Sequence, residues 1–407
     1  MRVEPINCFR PVPERAGRFS APPYDVFDDA QARAYVAEHP DSFMAIDRPE
    51  TAFGPEQDPY APEVYQHAVQ LLDARVKDGT LLKEERPCLF AYRMVQNGRA
   101  QMGIMAAVSV DDYLGGTARR HEQVREEKVA DRKRHMETVT AQTSPSLLIY
   151  PAQPAIDLLV GLACTGEPLY DFEDEDGVRH TVWRLSREAA VEAICETFKH
   201  VPCAYVADGH HRAEASARIC LEARERGEHG PRDAFLALLY PASAMQVFAY
   251  NRVVADTHDL SEQDLIAALE GAGLEVGEPT SEAITPSEQG TVGLYAFGSW
   301  RSLRFTDVPD AADDPTAALD VSLLQSRVLA PILGIQDPTS DARIQFVSGV
   351  DGPAELERLA GEQGVAFSMF PTSVEELMRV SDAGLLMPPK STWFAPKPRS
   401  GLFLRRI

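Results

Sequence analysis

The chain has 407 residues, too many for one efficient hydrophobic core and enough for two or three packed units. An apolar share of 44% and a charged share of 25% are those of a folded globular protein and exclude a mainly disordered chain. A formal charge of −22 sets the surface against polyanions, so neither a nucleic-acid partner nor an anionic membrane is expected.

In chain order, Pro11, Pro13, Pro22 and Pro23 mark turns, and a helix is expected from Asp28 to Glu38, stopping before Pro40. The start, MRVEPINCFRPVPER, lacks the apolar stretch of a signal peptide, and no window is apolar enough to span a bilayer. A second helix is expected from Glu63 to Asp78, then two strands, Pro87 to Met94 and Gln101 to Val110, joined by the hairpin signal Asn97-Gly98. Residues 117 to 140 have helical propensity but few apolar positions (Val124, Val129, Met136), so such a helix needs ion pairs, another chain or a ligand.

Ser144 to Tyr150 reads as a buried strand, and Asp171 to Asp176, closed by Gly177, as a solvated hairpin turn. A helix from Arg187 to Lys199 leads to the strand Cys203–Ala207, the run Asp208-Gly209-His210-His211-Arg212, and a helix from Ala213 to Arg226. Strands are expected at Ala234 to Tyr240, Gln246 to Tyr250, Gly293 to Phe297 and Ala342 to Val347, and helices at Val321 to Leu329 and Val374 to Ala383. The stretch from Glu262 to Glu288 holds one helix and a loop and marks a boundary. The fold class is α+β, in three regions: 1–150, 151–260 and 261–407. The six cysteines are scattered without a CxxC pair, which suits buried thiols and a cytoplasmic location.

The charge is uneven. From Arg119 to Glu137 seven Lys or Arg face five acids, and the last twenty residues hold Lys390, Lys397, Arg399, Arg405 and Arg406 with no acid. Basic islands in an acidic chain point to a local anion site.

The sharpest local feature is the apolar strand that ends in DGHHR and opens into a helix. Gly209 permits a tight turn, the helix start favours phosphate, and His210, His211 and Arg212 add donors. Asp208 is placed to orient a histidine, hold Mg²⁺ or take a substrate proton, and either histidine to move one near neutral pH. Two other readings stay open: Asp208 caps the helix while the histidines bond backbone, or the three side chains hold a transition metal.

A second group is Arg120, His121 and Glu122 with Asp131 and Arg132, where the cations would meet phosphate and Glu122 or Asp131 serve as base or metal ligand; the bland reading is an exposed, ion-paired helix. The third is Lys390, Ser391, Thr392 and Trp393 with Lys397, a proline-stiffened segment whose Trp393 either stacks on a base or plugs the unit. Tyr24 and Asp25 in PPYD, and Asn251 and Arg252 in NRVV, read as a turn or strand end.

Together, PYDV at 23–26, Arg120-His121-Glu122, Asp131-Arg132, Ser144-Pro145, YVADGHHR at 205–212, YNRVV at 250–254, LDV at 319–321, MPPKSTWF at 387–394 and Pro396-Lys397 resemble the bacterial domain of unknown function ten-fifteen. The strand–DGHHR–helix unit is similar to the phosphate-binding turn of the ParB/sulfiredoxin-like superfamily, one branch of which consists of free-serine kinases. That resemblance implies that Gly209, His210, His211 and Arg212 cradle phosphate, and that the ligand is a nucleotide such as ATP or ADP with Mg²⁺. The expected activity is nucleotide-dependent phosphoryl transfer to a small hydroxyl-bearing metabolite, with serine as the example. The alternatives are a phosphohydrolase and a non-catalytic nucleotide-binding module. Walker A and kinase glycine loops are both missing from the sequence.

Overall fold

Asn97 and Gly98 have φ of 51° and 76°, the two positive values a tight hairpin turn demands, and they join the long antiparallel strands Leu89–Gln96 and Arg99–Ser109. The computed structural model describes all 407 residues and is α+β. The chain divides into two compact units. The first comprises Met1–Arg120, Val124–Met245 and Pro396–Ile407, and so draws on all three sequence regions; the second comprises His121–Gln123 and Gln246–Ala395.

The first unit is built on a nine-stranded sheet. Its order runs Ala118–Arg119, Ala204–Asp208, Ser146–Tyr150, Ala234–Pro241, Arg99–Ser109, Leu89–Gln96, Arg179–Leu185, Tyr170–Glu173, with Val3–Glu4 beside Arg99–Ser109. Only two of these pairings are parallel, Ala204–Asp208 with Ala118–Arg119 and Ala234–Pro241 with Ser146–Tyr150. Ser146–Tyr150 and Ala234–Pro241 are buried along their whole length, which explains their unbroken apolar sequences. One core cluster joins Leu148, Val206, Phe235 and Leu239 to Ala213, Ala217 and Cys220 of the helix His210–Glu225. A four-stranded sheet (Leu81–Lys83, Cys8–Pro11, Leu404–Arg406, Ala141–Gln142) ties both ends of the chain into this unit.

The second unit holds a six-stranded antiparallel sheet in the order Leu274–Val276, Ser299–Phe305, Thr291–Ala296, Val365–Met369, Tyr250–Val254, Ile344–Ser348. Trp300, Val253, Ala366 and Leu356 centre its core. All six cysteines are free, and no helix is long and apolar enough to cross a membrane.

Several sequence expectations need correction. The helix expected over 117–140 begins only at Glu126, because Ala118–Arg119 pairs with Ala204 and Tyr205 as an edge strand; His121 and Glu122 therefore lie on no helix face. The helix expected from Ala213 starts at His210, so the two histidines and Arg212 form its first turn. NRVV is the body of the strand Tyr250–Val254, paired on both sides, not a strand end. Val321–Leu329 is a short α-helix, Asp320–Leu324, continued by a π-turn, Gln325–Leu329. The acidic hairpin turn exists, but Asp174 is no solvated residue: it bonds the buried His180 at 2.8 Å and faces Arg399 at 3.4 Å.

Candidate functional site

The strand Ala204–Asp208 is apolar through Ala207 and buried, and it bulges at Ala207 against Ser146–Tyr150, where the register slips between Val206 and Asp208. The bulge leaves Ala207 without a cross-strand partner and re-aims Asp208, which pairs with Leu147. Gly209 follows with φ of 82°, the left-handed value that ends the strand and opens the helix His210–Glu225 in one step. A Cβ on Gly209 would lie 2.8 Å from both Nε and one terminal nitrogen of Arg212, so the glycine also makes room for the guanidinium.

This helix start has no side-chain cap and no acid in its first turn. The main-chain N–H groups of Arg212 and Ala213 donate to the Gly209 carbonyl, and that of His211 stands at the positive end of the helix dipole. Arg212 is buried, donates to the Pro145 carbonyl at 2.7 Å and has its Nε without a hydrogen-bond partner.

Asp208 accepts a hydrogen bond from the Lys397 ammonium at 2.9 Å, and Arg212 stands 3.8 Å away. Burial opposes the Asp208 charge, but Lys397 and Arg212 prevail and hold the carboxyl well below the usual carboxylate range. The Lys397 ammonium is likewise raised: burial opposes it, and Asp208 and then Asp25 stabilise it. Each partner's side chain keeps about a fifth of its surface open, 23% for Lys397 and 22% for Asp208. The pair is therefore reachable from solvent.

Around this pair stand the other signature residues of the first unit. Asp25 is exposed and acts on both Lys397 and His211. His211 accepts from the Arg125 main-chain N–H at its Nε2, 3.1 Å away, which leaves the proton on Nδ1. Burial and then Arg125 push its pKa down, so it is neutral at pH 7. His210 is buried. Arg120 sits apart on the surface, 3.5 Å from Glu214.

The polar helix Glu126–Val139 finds its support here. Its buried face carries Arg132 and His135 as well as Val129, Met136 and Val139. Arg132 pairs with Asp131 at 2.7 Å and with Asp47 at 3.6 Å, and its guanidinium lies 4.1 Å from the Tyr24 ring centre. Burial works against the Arg132 charge; Asp131, Tyr24 and Asp47 raise its pKa despite that. Burial and Asp25 push the Tyr24 hydroxyl up. Asp47 accepts from Thr143 and Ser144, and the Ser144 oxygen in turn accepts from the Ser400 hydroxyl at 2.7 Å. Sequence reasoning missed Asp47; its one signal is an acid at the end of the apolar run Phe43–Ile46.

The remaining candidates belong to the second unit. Asn251 accepts from the Met369 main-chain N–H at 2.9 Å, and Arg252 is buried, bonded to the carbonyls of Tyr250 and Lys390. Burial pushes the Arg252 pKa down to about 10. Lys390 has φ of 59° and its ammonium lies 5.5 Å from the Tyr250 ring centre, which Trp393 meets edge-on. Ser391 donates to Pro388 and its carbonyl accepts from Thr372; Thr392 is half-buried. The His121 carbonyl accepts from the Met387 N–H at 2.7 Å, and Glu122 beside it is half-buried.

The cluster around Asp208 suits an oxyanion: two cations meet at the positive end of one helix dipole. It does not suit a resident Mg²⁺ on Asp208, whose carboxylate already faces an ammonium at 2.9 Å and a guanidinium at 3.8 Å.

The model of the family described as "Protein of unknown function (DUF1015)" matches residues 3–322, which leaves the MPPKSTWF segment and Lys397 outside the matched range. No curated protein matches the chain. Among solved structures, SbnI with a C-terminal truncation from Staphylococcus aureus shares 14% identity over 74% of this chain and 87% of its own, at a TM-score of 0.39. A free serine kinase mutant in complex with ADP shares 14% over 73% and 88%, at 0.35. A conserved hypothetical protein from Pyrococcus furiosus shares 14% over 74% and 95%, at 0.34. Likenesses this loose carry no argument about the chemistry of the present chain.

Proposed function

The chain belongs to the DUF1015 family, and we propose that it is a phosphotransferase whose Asp208–Lys397–Arg212 cluster binds the phosphoryl group of a nucleotide such as ATP. The observation that carries this reading is the solvent-reachable Lys397–Asp208 pair at the uncapped start of the helix His210–Glu225, backed by the buried Arg212. Incoming phosphate oxygens would take hydrogen bonds from Lys397 and from the first-turn N–H of His211, while Arg212 adds its charge. Positioning and charge neutralisation of this kind are most of what phosphoryl transfer asks of a protein.

In this reading Asp208 is the counter-ion that fixes Lys397, not the base, because a carboxyl held so far below its usual range takes a proton poorly. We assign the base to Asp25, which is exposed and acts on both Lys397 and His211. The acceptor hydroxyl would lose its proton to Asp25 as the phosphoryl group moves to its oxygen and ADP leaves. The resemblance of the Asp-Gly-His turn to free-serine kinases makes serine the first acceptor to assay.

The test is ADP formation from ATP and Mg²⁺ with serine, with other small alcohols, and with no acceptor. Acceptor-dependent ADP release that falls about a hundredfold or more in Asp25→Asn supports transfer. Release that is equal without acceptor assigns hydrolysis instead, and no release with any acceptor contradicts an enzymatic role.

A further inference from the structure

A cavity of about 770 Å³ opens in the first unit at the far end of the same helix, lined by Arg224, Arg405 and Arg406 among others. Arg224 lies fourteen positions along the helix from His210, about 21 Å at 1.5 Å per residue, so this cavity is separate from the Asp208 cluster. Its volume falls within the range of small-molecule sites, roughly 300–1,000 Å³.

The charges lining it are unequally matched. Arg224 is neutralised twice, by Asp111 at 2.6 Å and Asp233 at 2.7 Å, and Arg2 pairs with Glu4 at 2.5 Å. Arg405 and Arg406 have no such partner. Arg405 is only 7% exposed and donates to Gln142 Oε1 at 3.1 Å and to the carbonyls of Ala234 at 3.0 Å and Pro231 at 2.6 Å. Arg406 donates to the Val139 carbonyl and the Thr140 hydroxyl and lies over the Phe9 ring at 5.3 Å. Every one of these acceptors is neutral.

A buried guanidinium bonded only to neutral groups is orientated but weakly compensated: Glu4 acts on Arg405 from beyond ion-pair distance and is itself paired with Arg2, and burying a poorly compensated charge is costly. Three of the five Arg405 N–H donors are used, which leaves Nε–H and one terminal N–H. A fork held rigidly by carbonyls, with donors to spare on the wall of a cavity, is the arrangement that grips a carboxylate or phosphate. We propose that this cavity is a second binding site, for a small organic oxyanion that supplies the negative charge Arg405 and Arg406 lack. A carboxylate and a phosphate ester share that chemistry.

The test is calorimetric titration of the full chain with citrate and with inorganic phosphate, on the wild type, Arg405→Gln, Asn7→Trp and Lys397→Met. Arg405→Gln removes the charge but also touches three structural bonds, so Asn7→Trp, at an exposed cavity-lining position, fills the space without altering them. A binding component that persists in Lys397→Met, where the phosphoryl cluster's own contribution is removed, and that weakens tenfold or more in both cavity variants supports the site; the anion that gives this component the tighter binding then identifies carboxylate or phosphate as its ligand. Three results overturn the proposal: no binding to the wild type, binding indifferent to Asn7→Trp, or binding lost only in Lys397→Met.

Discussion

Replacing Lys397 by methionine keeps the length and apolar stem of the side chain and deletes its charge, leaving the Asp208 carboxylate with Arg212 alone, 3.8 Å away. Removing one partner of a fully buried ion pair costs about 3–5 kcal/mol. Here each side chain keeps roughly a fifth of its surface, 23% and 22%, and the second cation stays. A cost of about 2 kcal/mol follows, or about 4–8 °C in melting temperature for a domain of this size. Scanning fluorimetry from pH 8 to pH 3 reads it. The sign with pH is fixed by the depressed Asp208 pKa. Its contribution is fully present above the unfolded value of about 3.9 and is lost as pH falls through the folded one. The gap between wild type and Lys397→Met is therefore full at pH 7 and begins to narrow only below about pH 4. Adding Asp208→Asn to Lys397→Met removes the stranded charge and restores about 1 kcal/mol of the loss. A gap that is absent at neutral pH, or that widens in acid, refutes the reasoning.

Gly209→Ala places a Cβ in the left-handed region and 2.8 Å from the Arg212 guanidinium, and denaturant unfolding should show a loss of about 1–2 kcal/mol or more. Arg132→Met leaves Asp131 and the buried Asp47 facing each other without their shared cation, and is expected to cost about 3–5 kcal/mol in the same measurement. Burial lowers the pKa of His135, His180 and His211. The unfolded chain therefore binds protons below about pH 6.5 that the folded chain refuses, so stability should fall as pH drops from 7 to 5. His180→Gln should flatten that slope.

Much of the secondary structure was legible because its causes are local. Asn97-Gly98 announces its own turn, and Asp28 caps its helix through a reciprocal bond with Gln31 that sequence spacing reveals. The errors came where distant pairing overrode propensity. Ala118–Arg119 is a strand only because Ala204 and Tyr205 lie beside it, and the polar helix Glu126–Val139 is stable because Arg132 meets Asp47 and Tyr24. The candidate site shows the same limit. The DGHHR run marked its location, since a strand that stops at an Asp-Gly pair before a helix is visible in one sequence. The link from Asp208 to Lys397 spans 189 positions, and Asp47 acquires its role from Thr143, Ser144 and Arg132. No local pattern carries either of these.

The most direct test of a phosphoryl site at Asp208–Lys397 is equilibrium binding of ADP to the wild type and to Lys397→Met at pH 7.5, by calorimetry. Measurable binding to the wild type is expected, weakening about tenfold or more in the variant, the equivalent of about 1.4 kcal/mol for one lost charge-assisted contact. Equal affinity in the two proteins, or no binding to the wild type, contradicts a phosphoryl site there.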